Sequence, residues 1–104
     1  MDKSSLIAEL TTKYGYNPRG AQLVADKLEK MNPLLADLFV QWQKDGVIPQ
    51  FEIEGYSIQR LLKKHNMTPI AAFLTLDWLM REPNIALASL KKGKERLLKI
   101  NNHQ

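Results

Sequence analysis

Proline placement constrains the fold of this chain more than any other feature. Asn17-Pro18, Asn32-Pro33 and Thr68-Pro69 each set a helix-capping side chain directly before a proline. The cap oxygen accepts an N–H that the first turn would otherwise leave orphaned. The proline gives up only a donor with no helical partner, and its fixed φ suits the first helical position. Glu82-Pro83 is a weaker form of the same signal. Four helix starts are thus readable before any periodicity is counted.

Apolar spacing agrees with these starts. Leu6, Ile7, Leu10 and Tyr14 share one face of a first helix that stops at Gly15. Ala21, Val24, Ala25 and Leu28 face one way over Pro18 to Lys30, and Leu35, Leu38, Phe39 and Trp42 do so before Gly46. Ile58, Leu61, Leu62 and His65 repeat the i, i+3, i+4, i+7 template from Ser57 to about Asn66. Between Pro69 and Met80 only Thr75 and Asp77 are polar, so this fifth helix is expected at the centre of the core. A sixth begins near Pro83. Leu87, Leu90, Leu97 and Leu98 stay on one side of a single wheel across Gly93, which favours a continuous helix fraying by Ile100.

The stretch from Val47 to Gly55 reads differently. Phe51 and Ile53 alternate with Glu52 and Glu54, the period of an extended segment, and Pro49 keeps it from being a central strand. It is expected to be a linker with two apolar side chains tucked against helices. The sharper alternative is an edge strand that pairs with a second copy.

Sliding the chain on itself by 51 positions lays Ile7–Lys30 over Ile58–Arg81 without a gap. Ile7/Ile58, Leu10/Leu61, Lys13/Lys64, Pro18/Pro69, Ala21/Ala72, Leu23/Leu74, Asp26/Asp77 and Leu28/Leu79 are identical. Gly15-Tyr16-Asn17-Pro18 falls over Asn66-Met67-Thr68-Pro69, each a left-handed-tolerant stop followed by a capped start. The expected fold is all-α, a compact orthogonal bundle of five to six short helices forming a single domain over 1–104. Its sharper form is two duplicated three-helix units, about 1–46 and 56–100, joined by an extended linker at 47–55, with a loose tail at 101–104. The helix, the Tyr14-Gly15-Tyr16 turn and the two helices after it loosely resemble ubiquitin-associated three-helix modules. The second helix is longer than that pattern, and Asn66-Met67 departs from its turn.

Composition narrows the function classes. With 104 residues, 44% hydrophobic and 25% charged, the chain has the ordinary soluble globular mix. Cysteine is absent, which excludes disulfides, thiolate metal sites and a cysteine nucleophile. Met1 to Ser5 carries no apolar export segment and no run is long enough to span a bilayer, so a cytoplasmic protein without membrane insertion is expected. His65 and His103 stand far apart, so no metal is expected, and His65 closes an apolar face as a packing residue. There is no glycine-rich phosphate loop or nucleophile elbow, and Glu52 and Glu54 read as solvated carboxylates. Neither catalysis nor a cofactor is expected.

Charge is uneven. Residues 1–54 hold six basic and eight acidic residues, and residues 55–104 hold nine and three. Lys63, Lys64, Lys92, Arg96 and Lys99 are therefore candidate phosphate contacts for a sequence-nonspecific nucleic-acid binder. Sequence-specific reading is not expected, because the helix after the 64–68 turn presents Phe73, Leu74, Trp78 and Leu79 where a recognition helix needs polar groups. The leading expectation is a non-enzymatic module that binds a protein partner or itself, with Phe51, Ile53 and Tyr56 as candidate contacts. Asp77, a carboxylate on an apolar helix, is expected to bond a buried polar group or the N-terminal amides of a neighbouring helix.

Overall fold

All three capped prolines open helices through side-chain oxygens. Gly20 N–H donates to Asn17 Oδ1 at 2.7 Å, Leu34 N–H to Asn32 Oδ1 at 2.9 Å and Ala71 N–H to Thr68 Oγ1 at 3.3 Å. The structure is a computed structural model that describes residues 2–102, with side chains described for 2–93. Six helices are present among the described residues: α1 (Lys3–Thr12), α2 (Pro18–Lys30), α3 (Pro33–Asp45), α4 (Ile58–Lys63), α5 (Pro69–Arg81) and α6 (Pro83–Asn102). One small hairpin, β1 (Glu52–Ile53) and β2 (Tyr56–Ser57), completes the inventory. The chain divides into two compact units, Met1–Pro49 and Gln50–Gln104.

In the first unit α2 packs on both α1 and α3. Its core is Leu6 and Leu10 from α1, Ala21, Ala25 and Leu28 from α2, and Leu35 and Phe39 from α3. Lys3 holds the start of α1 to α2 by an ion pair with Asp26 and a second, at 3.2 Å, with Glu29. Gly46, at φ 71°, closes α3 with its N–H on the Trp42 carbonyl. A left-handed residue is needed there, and glycine takes that conformation without a Cβ penalty.

In the second unit α5 is the hub, packing on α4, α6 and β1. Ala72, Phe73, Leu76, Asp77 and Leu79 of this helix are all buried. The expectation of a central, nearly all-apolar helix holds for this unit. α6 runs unbroken through Gly93 and reaches Asn102, beyond the fraying point expected at Ile100. Of the expected loose tail, Asn101 and Asn102 are helical, while His103 and Gln104 lie outside the described residues.

The segment after α3 departs from expectation. It is not a linker throughout: Glu52 pairs with Ser57 and Ile53 with Tyr56, antiparallel, inside the chain. Glu54 (φ 52°) and Gly55 (φ 82°) form the two-residue turn. Two positive φ values in succession match the right-handed twist of the flanking strands. The alternation of Phe51 to Glu54 was legible. The turn was not, because glutamate is an uncommon residue at its first position.

Turn geometry recurs at the offset of 51. Lys13 N–H donates to Glu9 O and Lys64 N–H to Arg60 O; Tyr16 N–H donates to Leu10 O and Met67 N–H to Leu61 O. Gly15 at φ 74° and Asn66 at φ 53° take the left-handed position of the two turns.

Asp77 is 4% exposed, as a carboxylate on an apolar helix that finds a partner can be. One partner comes from its own helix: Arg81 Nε–H donates to Asp77 Oδ2 at 2.9 Å. Asp77→Asn keeps the volume and removes the charge that Arg81 faces. Chemical denaturation should show a loss of about 1–2 kcal/mol, tempered by the exposure of Arg81. An unchanged midpoint would mean that the carboxylate contributes nothing to the core.

Candidate interaction surface

The first unit leaves its three helices unclosed on one side. Between α1 and α3, over α2, runs a groove of about 540 Å³. Its floor is Ala25 and Leu28 of α2 with Met31, and Leu6 and Lys3 of α1 form one wall. The other wall is a continuous stripe of α3: Pro33, Ala36, Asp37, Val40, Gln41 and Lys44. These positions are spaced i, i+3, i+4, i+7, i+8, i+11, so they lie along one face for about 17 Å at 1.5 Å per residue. Ala36 and Val40 are half-buried, and Asp37, Gln41 and Lys44 are exposed at the rim.

The neighbouring stripe of the same helix faces the core through Leu35 and Phe39. α3 is therefore apolar over more of its circumference than one packing partner needs. At the offset of 51, Ala25, Glu29 and Ala36 of the groove fall on Leu76, Met80 and Leu87. Leu76 is buried, and Met80 and Leu87 are half-buried. At these three positions the second unit carries larger apolar side chains, whereas Leu6, Met31 and Val40 of the groove fall on Ser57, Glu82 and Lys91.

Electrostatics fix the groove's edge. Asp26 and Glu29 raise the pKa of Lys3, chiefly through the hydrogen bond from Lys3 to Asp26. At the far end of α3, the Asp45 carboxyl is held below its usual range by the Val47 N–H, 2.9 Å away, with Gln41 Nε2 also donating to it at 3.1 Å. Burial raises the pKa of Tyr14, with Glu9 adding to the shift, and burial likewise raises that of Tyr16, whose hydroxyl donates to Gln43 at 3.2 Å.

The residues singled out from the sequence fall elsewhere. Phe51, Ile53 and Tyr56 are half-buried in the hairpin and do not lie on an uncovered linker. The Arg60 guanidinium sits 4.5 Å from the centre of the Tyr56 ring, and its Nη1 donates to Gly55 O at 2.8 Å. The His65 ring, in the turn after α4, lies 5.6 Å from the Tyr56 ring centre to centre. Arg60 and His65 thus fasten the hairpin to α4 and the turn that follows it. Lys63 and Lys64 are exposed at the end of α4. Lys92 is exposed on α6 and lines a shallower groove of about 480 Å³ with Trp78, Asn84, Ile85, Ala88 and Ser89. Neither Lys63 nor Lys64 lines that groove. Arg96 and Lys99 lie on the last turns of α6, where side chains are outside the described residues.

The charge asymmetry also softens. With the units divided after Pro49, Glu52 and Glu54 belong to the second unit. The first then holds six basic and six acidic residues, and the second nine and five.

Among the described residues no group of three or more histidine or carboxylate side chains is placed to hold a metal ion. No described helix is long and apolar enough to cross a membrane. Comparison with protein-family models, curated proteins and solved structures gives no match.

The α3 stripe was only partly legible in the sequence. Leu35, Leu38, Phe39 and Trp42 drew the eye to the core face. The second face is marked by Ala36 and Val40 alone, between charged residues.

Lys3, Tyr14 and Tyr16 all have folded pKa values above their ordinary ones. Each contributes stability that is complete below the unfolded pKa, about 10, and is lost as pH rises through the raised value. The melting temperature should therefore fall above about pH 10, and Lys3→Met should lower it at neutral pH and lessen the alkaline fall. A Lys3→Met melting profile that coincides with that of the parent would show that the α1–α2 clamp carries no stability.

Proposed function

We propose that the chain is a non-enzymatic interaction module whose first unit takes an amphipathic helix of a protein partner. The observation that carries this reading is the groove along α3. It follows the α3 stripe for about 17 Å, with an apolar floor and a rim bearing both signs of charge. A helix laid there would close an open three-helix unit as the fourth member of a bundle. The exposed lysines of α4 and α6 support nucleic-acid binding less well, because they are carried by separate helices and the apolar groove lies in the other unit. We also read the two units as copies of one three-helix ancestor, on the recurring turn bonds and the eight identities.

The test fills the groove from its α3 wall. Ala36→Leu enlarges that wall with another strong helix former. A displayed library of amphipathic helical peptides is selected on the full chain, and labelled duplex DNA and single-stranded RNA are titrated in parallel. Selected peptides should bind the parent, lose at least about ten-fold on Ala36→Leu and on Val40→Lys, and leave both melting temperatures near the parent value; ten-fold corresponds to about 1.4 kcal/mol. The reading fails if no peptide is selected, or if selected peptides ignore both substitutions. It fails equally if nucleic acid binds with steep salt dependence and loses affinity when Lys63, Lys64 and Lys92 become Gln.

A further inference from the structure

We infer that the helix received by the groove is α3 of a second copy, laid antiparallel about a two-fold axis. This rests on the groove reading above and names the partner for it.

The argument is the charge pattern of the stripe. Asp37 and Lys44 are both exposed on the groove-facing side of α3, and neither takes part in an ion pair among the described residues. They are seven residues apart, two helical turns, so they stand on one face about 10 Å from each other. Their midpoint falls between Val40 and Gln41. In an antiparallel pair of α3 helices crossing at that midpoint, Asp37 of each copy meets Lys44 of the other, and both pairs form at once. A parallel pair would instead set Asp37 against Asp37 and Lys44 against Lys44. The charges therefore select the antiparallel arrangement, which is self-complementary as an isologous contact requires.

Sterics agree with the charges. Between the two ion pairs the stripe presents Val40, with Ala36 one turn before it, so the backbones can approach closely at the crossing. The first unit carries no net charge, so two copies meet without long-range repulsion between these faces. The exposed Gln41 at the centre can bond its counterpart across the axis without burying an unpaired ion.

Charge exchange tests the arrangement without touching the core. Sedimentation equilibrium of the full chain should show a monomer–dimer equilibrium. Asp37→Lys alone and Lys44→Asp alone each turn two attractive contacts into two repulsive ones, so each should weaken dimerisation by at least about ten-fold. The double variant Asp37→Lys/Lys44→Asp restores opposite charges across the axis and should recover most of the parental affinity. A chain that stays monomeric at high concentration overturns the inference, as does a dimer indifferent to the single changes or one that the double variant fails to rescue. If the chain is monomeric while displayed peptides still bind and respond to Ala36→Leu, only the second copy is wrong; if no peptide binds either, the groove reading falls with it.

Discussion

Side-chain capping in front of proline is the interaction on which the rest of both units depends. Asn17, Asn32 and Thr68 each place an oxygen where the first turn has a free N–H, and the following proline removes the donor that no cap could serve. Helix starts are thereby set to the residue and not left to fray. With the starts fixed, the left-handed residues Gly15 and Asn66 bring the preceding helix back across the next. The pairs α1 with α2 and α4 with α5 then follow from local chemistry alone.

The same local chemistry yields two different surfaces because the side chains laid on it differ. In the second unit α5 is buried through Ala72, Phe73, Leu76, Asp77 and Leu79, and the hairpin is drawn onto it. In the first, α2 offers Ala21, Ala25 and Leu28 to its core, and α3 is apolar on a second face besides. Alanine beside a helix pair buries little area and leaves space, which a partner can fill at a gain of about 25 cal/mol per Å² removed from water. The groove is thus set by the side chains that α1, α2 and α3 of the first unit present on that side.

Much of the fold was legible because caps, prolines and glycines act locally. Pro18–Lys30, Pro33–Asp45 and the start of α5 fall where the sequence places them. The hairpin was only half legible: the alternation of Phe51 and Ile53 showed the extended backbone, but its partner strand follows after a turn opened by Glu54, which no turn rule favours. The contact residues were read less well. An exposed-looking Phe51, Ile53 and Tyr56 proved half-buried: β1 packs on α5, and Arg60 of α4 and His65 of the turn after it reach across to Tyr56, through-space pairings that spacing does not announce. The groove escaped notice for the opposite reason, since its floor is built from residues that read as ordinary core.

The central claim is that the α3 groove is an open surface that becomes covered by association. Methyl NMR of the full chain across a dilution series tests this most directly. Ala36 and Val40 methyl signals should shift with concentration, while those of Ala72 and Ala86, buried in the second unit, stay fixed. Fixed Ala36 and Val40 signals, or shifts spread evenly over both sets, would contradict association of copies through the groove.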